Sequence, residues 1–138
     1  MTLKDSIQIK QRIKEQFSAA AENYDSKASL QKMVAEELLD FILLNTQHAA
    51  PSTVLDIGCG TGFLTTPLIK TFSFARVFAC DIAHPMLKVL KVKTKGPIAF
   101  LSADSELLPY KNGQFDMATS SLTYQWTLYP KTSFLETY

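Results

Sequence analysis

The chain carries almost no net charge and no long apolar run. Fourteen lysines and arginines nearly balance 13 aspartates and glutamates, leaving a formal charge of +1. A nucleic-acid or membrane surface has no electrostatic reason to hold such a protein. No apolar stretch approaches the length of a membrane span. The first residues, Met1 to Asp5, lack the basic segment and apolar core of a secretory leader. Cysteine and histidine are scarce: Cys59, Cys80, His48 and His84 are all there are, and they do not cluster. That pattern predicts neither a disulfide framework nor a metal centre, and it suits a reduced, cytoplasmic setting. There is no repeat and no low-complexity tract. Hydrophobic residues make up 46% of the chain and charged ones 20%, so a packed core is expected rather than disorder. The length of 138 residues suits one domain or part of one.

Glycine is scarce as well, which makes its placement informative. Of five glycines, three stand at alternate positions in Val54-Leu55-Asp56-Ile57-Gly58-Cys59-Gly60-Thr61-Gly62. The apolar run Thr53–Ile57 predicts a buried strand. The glycines predict a tight turn that can adopt positive φ and admit a ligand close to the backbone. Phe63-Leu64-Thr65 predicts the start of a helix whose N–H groups face that ligand. Strand, glycine turn and helix open a nucleotide-binding βαβ unit. A dinucleotide site uses G-x-G-x-x-G, whereas this turn is G-x-G-x-G preceded by Asp56. A carboxylate there repels a pyrophosphate but can hold water or an ammonium group. S-adenosylmethionine, with an amino-acid end and an adenosine end, fits better.

Elements of both kinds follow from the rest of the chain. Ile7, Ile9, Ile13 and Phe17 space out one helical face, ending around Ala21 to Asp25. Ser29 is placed to cap a second helix carrying Leu30, Met33, Val34, Leu38, Leu39, Ile42 and Leu43, with Ala49–Ser52 as the linker. Pro67 predicts a bend or shortening of the helix Gly62–Phe72. Arg76–Cys80 reads as a second strand ending at Asp81, the position whose carboxylate bonds ribose hydroxyls in mononucleotide units. Pro85 opens the next helix. Its Lys88, Lys91, Lys93 and Lys95 read as a solvated face, with docking of an acidic partner as the alternative. Ile98–Ala103 is a third strand. Asp104 at its end is placed to accept a hydrogen bond from an adenine amino group. Asn112-Gly113 marks a turn before a fourth strand, Phe115–Ser120. Pro130 opens a last helix with Phe134 and Leu135 expected on its inner side.

The ordered set Asp56-Ile57-Gly58-Cys59-Gly60-Thr61-Gly62, Asp81, Asp104-Ser105-Glu106-Leu107-Leu108-Pro109 and Phe115-Asp116-Met117-Ala118-Thr119-Ser120-Ser121 resembles the class I S-adenosylmethionine-dependent methyltransferases. Phe17-Ser18-Ala19-Ala20-Ala21-Glu22-Asn23-Tyr24-Asp25 and Ser120-Ser121-Leu122-Thr123-Tyr124-Gln125-Trp126 are similar to stretches of one subgroup, the malonyl-acyl-carrier-protein O-methyltransferases of biotin synthesis. Ser121 stands where that subgroup's pattern has Asn. The resemblance implies an α/β, Rossmann-like three-layer sandwich with a parallel sheet and N-terminal helices. It implies that residues 1–52 form a helical lid and 53–138 the N-terminal half of the cofactor domain. The cofactor residues it implies are Asp56, Gly58, Cys59, Gly60, Gly62, Asp81, Ile82, Met86, Asp104, Ser105 and Ser120. Tyr24 and Trp126 are positioning candidates.

The family's chains continue further, with sheet order 3-2-1-4-5-7-6, so only strands 3-2-1-4 are expected here. The fourth strand would then leave a free edge open to self-association, and turnover by this chain alone would be negligible. The acceptor implied is a small molecule or an acyl-carrier-protein-bound carboxylate. A carboxylate is already deprotonated at neutral pH and needs no general base. A nucleotide-dependent oxidoreductase and a non-catalytic chain, either a methyltransferase-like fold kept for binding or a fragment without activity, are the competing readings.

Overall fold

The computed structural model describes residues 1–137. Its elements in chain order are α1 (Leu3–Ala20), a 3-10 turn (Ala21–Asn23), α2 (Tyr24–Lys27), α3 (Ser29–Asn45), β1 (Thr53–Ile57), α4 (Thr65–Thr71), β2 (Arg76–Asp81), α5 (His84–Lys93), β3 (Ile98–Ser102), β4 (Met117–Ser120), a second 3-10 turn (Tyr124–Trp126) and α6 (Pro130–Thr137). The four strands form one parallel sheet in the order β3-β2-β1-β4, the expected Rossmann-like arrangement. β1 is central and almost wholly buried, as a strand covered on both faces must be. Strand order reverses between β1 and β4, so the crevice at their C-terminal ends is where ligands of such folds bind.

Register decides which side chains share a face. Val54, Val77, Ala79, Ile98 and Met117 lie on one face, under α3, α4 and α5. Leu55, Ile57, Phe78, Cys80 and Leu101 lie on the other. That second face is covered by the loop after β3 and by Tyr124, with Phe78, Tyr110 and Phe115 in mutual edge contact at 4.9–6.0 Å. Among the described residues no helix is long and apolar enough to cross a membrane. β4 pairs on one side with β1 and stands at the edge of the sheet.

Several local expectations change. α1 buries Ser6, half-buries Lys10, Ile13 and Phe17, and leaves Ile7 and Ile9 in solvent. Its inner stripe is therefore rotated from the isoleucine pattern. α1 itself begins with a reciprocal capping box between Thr2 and Asp5. On α3 it is Ala35 and Ile42 that are buried, flanked by Leu38 and Leu39, while Leu30, Met33 and Leu43 are exposed. Ser29 is the first helical residue and Ala28 holds the cap position, without a side-chain bond. Pro67 lies in the first turn of α4, between the Thr66 N–H, which bonds the Gly62 carbonyl, and the Leu68 N–H, which bonds the Leu64 carbonyl, both at 3.0 Å. Proline cannot make the intervening bond to Phe63, and α4 starts at Thr65, shorter than the expected Gly62–Phe72. α6 buries Ser133 instead of Phe134 and Leu135, which are 59% and 68% exposed. Phe134 nevertheless rests edge-on against Tyr124 at 4.8 Å.

Candidate functional site

The C-terminal ends of the strands open into a cavity of about 190 Å³. That exceeds the ~150 Å³ that accepts a benzene ring. Its floor is the turn after β1. Gly58, Gly60 and Gly62 all have positive φ, at 66°, 53° and 94°, but they serve different ends. A Cβ on Gly58 would fall 2.1 Å from Thr123 Oγ1, and one on Gly62 would fall 2.2 Å from Leu90 Cδ1. Those two positions are glycine because protein packs against them. A Cβ on Gly60 would meet nothing within 4 Å. Gly60 lines the cavity, so its missing side chain leaves space for something other than protein. The turn supplies that space more than it supplies donors. The Gly60 N–H already bonds Asp81 Oδ2 at 2.9 Å, and the Gly62 N–H bonds the Cys59 carbonyl at 3.0 Å.

Four carboxylates surround this floor. Asp56, at the end of β1, is 1% exposed. Its Oδ2 accepts from Thr65 Oγ1 at 2.5 Å and its Oδ1 from Thr119 Oγ1 at 3.3 Å. Burial raises its carboxyl to about 7, and these two hydroxyls moderate the rise. Asp81, at the end of β2, accepts from Gly60 N–H through Oδ2 and from Ala83 N–H at 2.8 Å through Oδ1. It thus holds the glycine turn in place and keeps one further lone pair on each oxygen. Burial raises its pKa as well. Asp104, after β3, accepts from Glu106 N–H at 2.9 Å through Oδ1 and from Lys10 Nζ at 2.5 Å through Oδ2. Glu106 is buried, and its Oε1 takes the N–H groups of Leu128 and Tyr129 at 2.6 and 3.2 Å.

The N-terminal segment forms the opposite wall. Lys10, Ile13, Phe17, Tyr24, Gln31 and Ala35 line the cavity. Phe17 stands edge-on to Trp126 at 5.3 Å and tilted to Tyr24 at 6.5 Å, and Tyr24 rests on Phe63 at 6.2 Å. The two positioning candidates therefore meet through Phe17. Asp25 accepts from Thr61 Oγ1 at 2.5 Å and from Lys93 Nζ, and Lys93 also bonds the Thr61 carbonyl at 3.1 Å. Burial would raise the Asp25 carboxyl, but Lys93 and Thr61 outweigh it and hold the pKa low. Lys93 is thus tied to the glycine turn rather than standing on a solvated face. Burial pushes the Cys80 thiol up to about 12 and the Cys59 thiol well above its ordinary range, so neither is a thiolate nucleophile at neutral pH.

Of the residues singled out in the sequence, Tyr24, Asp56, Gly58, Cys59, Gly60, Asp81, Ile82, Met86, Asp104, Ser105 and Trp126 all line this one cavity. Gly62 and Ser120 stand apart from its wall. Gly62 faces Leu90, and Ser120 Oγ bonds the Ile57 carbonyl at 3.1 Å, pinning β4 to β1. Sequence reasoning missed Lys10 and Thr123. Lys10 reaches a carboxylate 94 positions away, which no local pattern signals. Thr123 seats its hydroxyl over Gly58, within 3.3 Å of the carbonyls of Ile57, Gly58 and Ser121. A backbone signal accompanies it, since the preceding Leu122 has a φ of +53° and is the one non-glycine residue so placed among those described.

Comparison with known proteins agrees with this geometry. The family described as a methyltransferase domain matches residues 55–138. The biotin biosynthesis bifunctional protein BioHC of Teredinibacter turnerae is 38% identical over 141 residues, covering 95% of this chain and 25% of that protein. The malonyl-[acyl-carrier protein] O-methyltransferase of Hahella chejuensis is 35% identical over 128 residues, covering 92% of this chain and 44% of that protein. The chain therefore spans less than half the length of these curated relatives. In fold it is similar to the magnesium protoporphyrin IX methyltransferase ChlM of Synechocystis, solved with bound SAM, at a TM-score of 0.73 and 16% identity over 93% of this chain and 69% of that one. A methyltransferase structure from Methanococcus maripaludis gives 0.71 and 20% identity over 86% and 56%. With more than half of its residues matched to the family and the glycine turn, the strand-end carboxylates and the sheet order all in place, the chain belongs to the methyltransferase domain family.

Proposed function

We propose that this chain is the cofactor-binding part of an S-adenosylmethionine-dependent enzyme that methylates the free carboxylate of a malonyl group carried on acyl-carrier protein, in biotin synthesis. The observation that carries the cofactor reading is Gly60, with its positive φ and a Cβ direction open to the cavity between Asp56, Asp81 and Asp104. The acceptor reading rests on the names of the relatives that match across most of the chain.

The residues fit such a cofactor. Asp81 keeps lone pairs that ribose hydroxyls would use, Asp104 would accept from an adenine amino group, and Asp56 carries a carboxyl that would meet an ammonium or sulfonium charge. Ile82 and Met86 offer apolar cover, and Gly58, Cys59 and Ser105 complete the wall. When bound, the cofactor supplies a methyl group already activated on a sulfonium. The protein's own part is then to orient and to exclude water. Phe17, Tyr24 and Trp126 cover the mouth, and residues 1–52 act as the lid over the half-domain 53–138. A carboxylate acceptor is ionised at neutral pH, and no base is demanded of this chain. The unpaired edge of β4 supports association with a further strand, from another copy or from a longer protein.

Titration calorimetry of this chain with S-adenosylhomocysteine and, separately, with NAD tests the cofactor reading. Heat with the first and none with the second is expected. Binding of NAD alone would overturn it. Transfer of a labelled methyl group to malonyl-acyl-carrier protein, with malonate and unloaded carrier as controls, tests the acceptor.

A further inference from the structure

Among the described residues Lys10 is the cation that lines the cavity, and it is placed where a ligand amine is expected. Its Nζ lies 2.5 Å from Asp104 Oδ2 and 2.9 Å from Glu106 Oε2; the Glu106 side chain is buried, while those of Lys10 and Asp104 are about a quarter exposed. The other oxygen of each acid already holds backbone N–H groups. Asp104 Oδ1 holds Glu106 N–H, and Glu106 Oε1 holds Leu128 and Tyr129 N–H. Glu106 is therefore fixed, and Asp104 offers Oδ2 to the cavity. An amino group approaching that oxygen meets an ammonium from α1 beside it.

The same contact holds α1 down. α1 touches the body on one stripe: Ser6 Oγ meets Tyr129 Oη at 3.1 Å, Lys10 meets the two acids, and Phe17 meets Trp126. Lys10 is the charged tie, midway along that stripe.

We propose that Lys10 is a latch and a positioning residue. In the free protein it bridges Asp104 and Glu106 and holds α1 across the cavity mouth. When a ligand amine takes Asp104 Oδ2, Lys10 rests on Glu106 alone and α1 loosens. An amine on the second lone pair of Asp104 Oδ2 would lie beside the Lys10 ammonium, so entry of an amine-bearing ligand and closure of α1 oppose each other through the repulsion of two donors at one oxygen. The competing amine rests on the cofactor reading above; the latch itself does not. An exchange of one ammonium for one amino group at a fixed carboxylate requires no movement of the sheet.

The chain carries its own reporter. Trp126 is the single tryptophan, 46% exposed, and touches α1 through Phe17. The experiment measures acrylamide quenching of Trp126 in the ligand-free chain, for the wild type, Lys10→Met and Lys10→Arg. It repeats the wild type and Lys10→Met in about 1 M salt, where screening acts over roughly 3 Å. Quenching should rise in Lys10→Met, return in Lys10→Arg, rise with salt in the wild type and stay unchanged with salt in Lys10→Met. Stopped-flow mixing with S-adenosylhomocysteine should show association roughly 1.5-fold to fivefold faster in Lys10→Met, the scale of a part-exposed ion-pair contact. Wild-type quenching that ignores salt overturns the latch, whether or not the methionine variant folds. Equal quenching and equal association in a folded Lys10→Met overturn it too. If the quenching pattern appears but S-adenosylhomocysteine binds neither protein, the latch is supported and the cofactor reading falls.

Discussion

Gly60→Ala separates a glycine kept for a ligand from glycines kept for packing. At Gly60 the added methyl meets no protein atom within 4 Å, so the cost to the fold is that of an alanine at a φ of +53°. For an L-residue in the left-handed region that is about 1–2 kcal/mol. In a domain of this size the melting temperature should fall by roughly 3–8 °C. At Gly62 the methyl would lie 2.2 Å from Leu90 Cδ1 and 3.2 Å from Thr66 Oγ1, at a φ of +94°. Overpacking of about 1–3 kcal/mol then adds to a similar backbone cost. The Gly60→Ala methyl points into the cavity and should weaken S-adenosylhomocysteine at least about tenfold, or about 1.4 kcal/mol. Urea unfolding gives the stability of both variants, and calorimetric titration gives the affinity of the folded ones. Wild-type affinity in Gly60→Ala, or destabilisation equal to that of Gly62→Ala, would refute a glycine kept for a ligand.

Asp81→Asn should lower stability and affinity together, because the side chain holds Gly60 N–H and Ala83 N–H while facing the cavity. An amide there turns one N–H toward another, costing about 1–3 kcal/mol in each measurement; an affinity loss with an unchanged urea midpoint would remove its role in the turn. Asp56 titrates at about 7 in the folded chain, above its ordinary value of 3.8, because it is buried. The folded state holds the proton more tightly, so the contribution is full below about pH 4 and is lost as pH rises through about 7. The stability of the wild type relative to Asp56→Asn should therefore fall by up to about 4 kcal/mol between about pH 4 and 8. A flat difference in urea unfolding across that range would refute a raised Asp56.

The central half of the fold was legible because its signals are local. Thr53–Ile57 with its glycines, Arg76–Asp81, Pro85 and Ile98 each announce an element within a few residues. Burial on both faces then makes the strands read as continuous apolar runs. The ends of the chain were less legible. α1 and α6 each touch the body along a narrow stripe, so exposed isoleucine, phenylalanine and leucine outnumber buried ones and the apolar pattern points the wrong way. Ser6 and Ser133 are buried there instead. In the site, the carboxylates were legible from their positions at strand ends. Their partners were not. Lys10 for Asp104, Thr119 for Asp56 and Thr123 for the glycine turn all arrive from more than 60 positions away.

The separation between β1 and β4 also sets the order in which the pocket can come into being. β1 has its first neighbour, β2, soon after it is made, but Thr119, which completes the surroundings of Asp56, lies 63 residues later. At ~5–20 residues per second of synthesis, β1 waits roughly 3–13 s for its second neighbour. During that interval a nearly apolar strand presents an open side at what will be the middle of the sheet. A nascent chain halted in this window should recruit holdase chaperones. One extended past Ser120, with β4 free to dock, should release them and only then acquire a binding site.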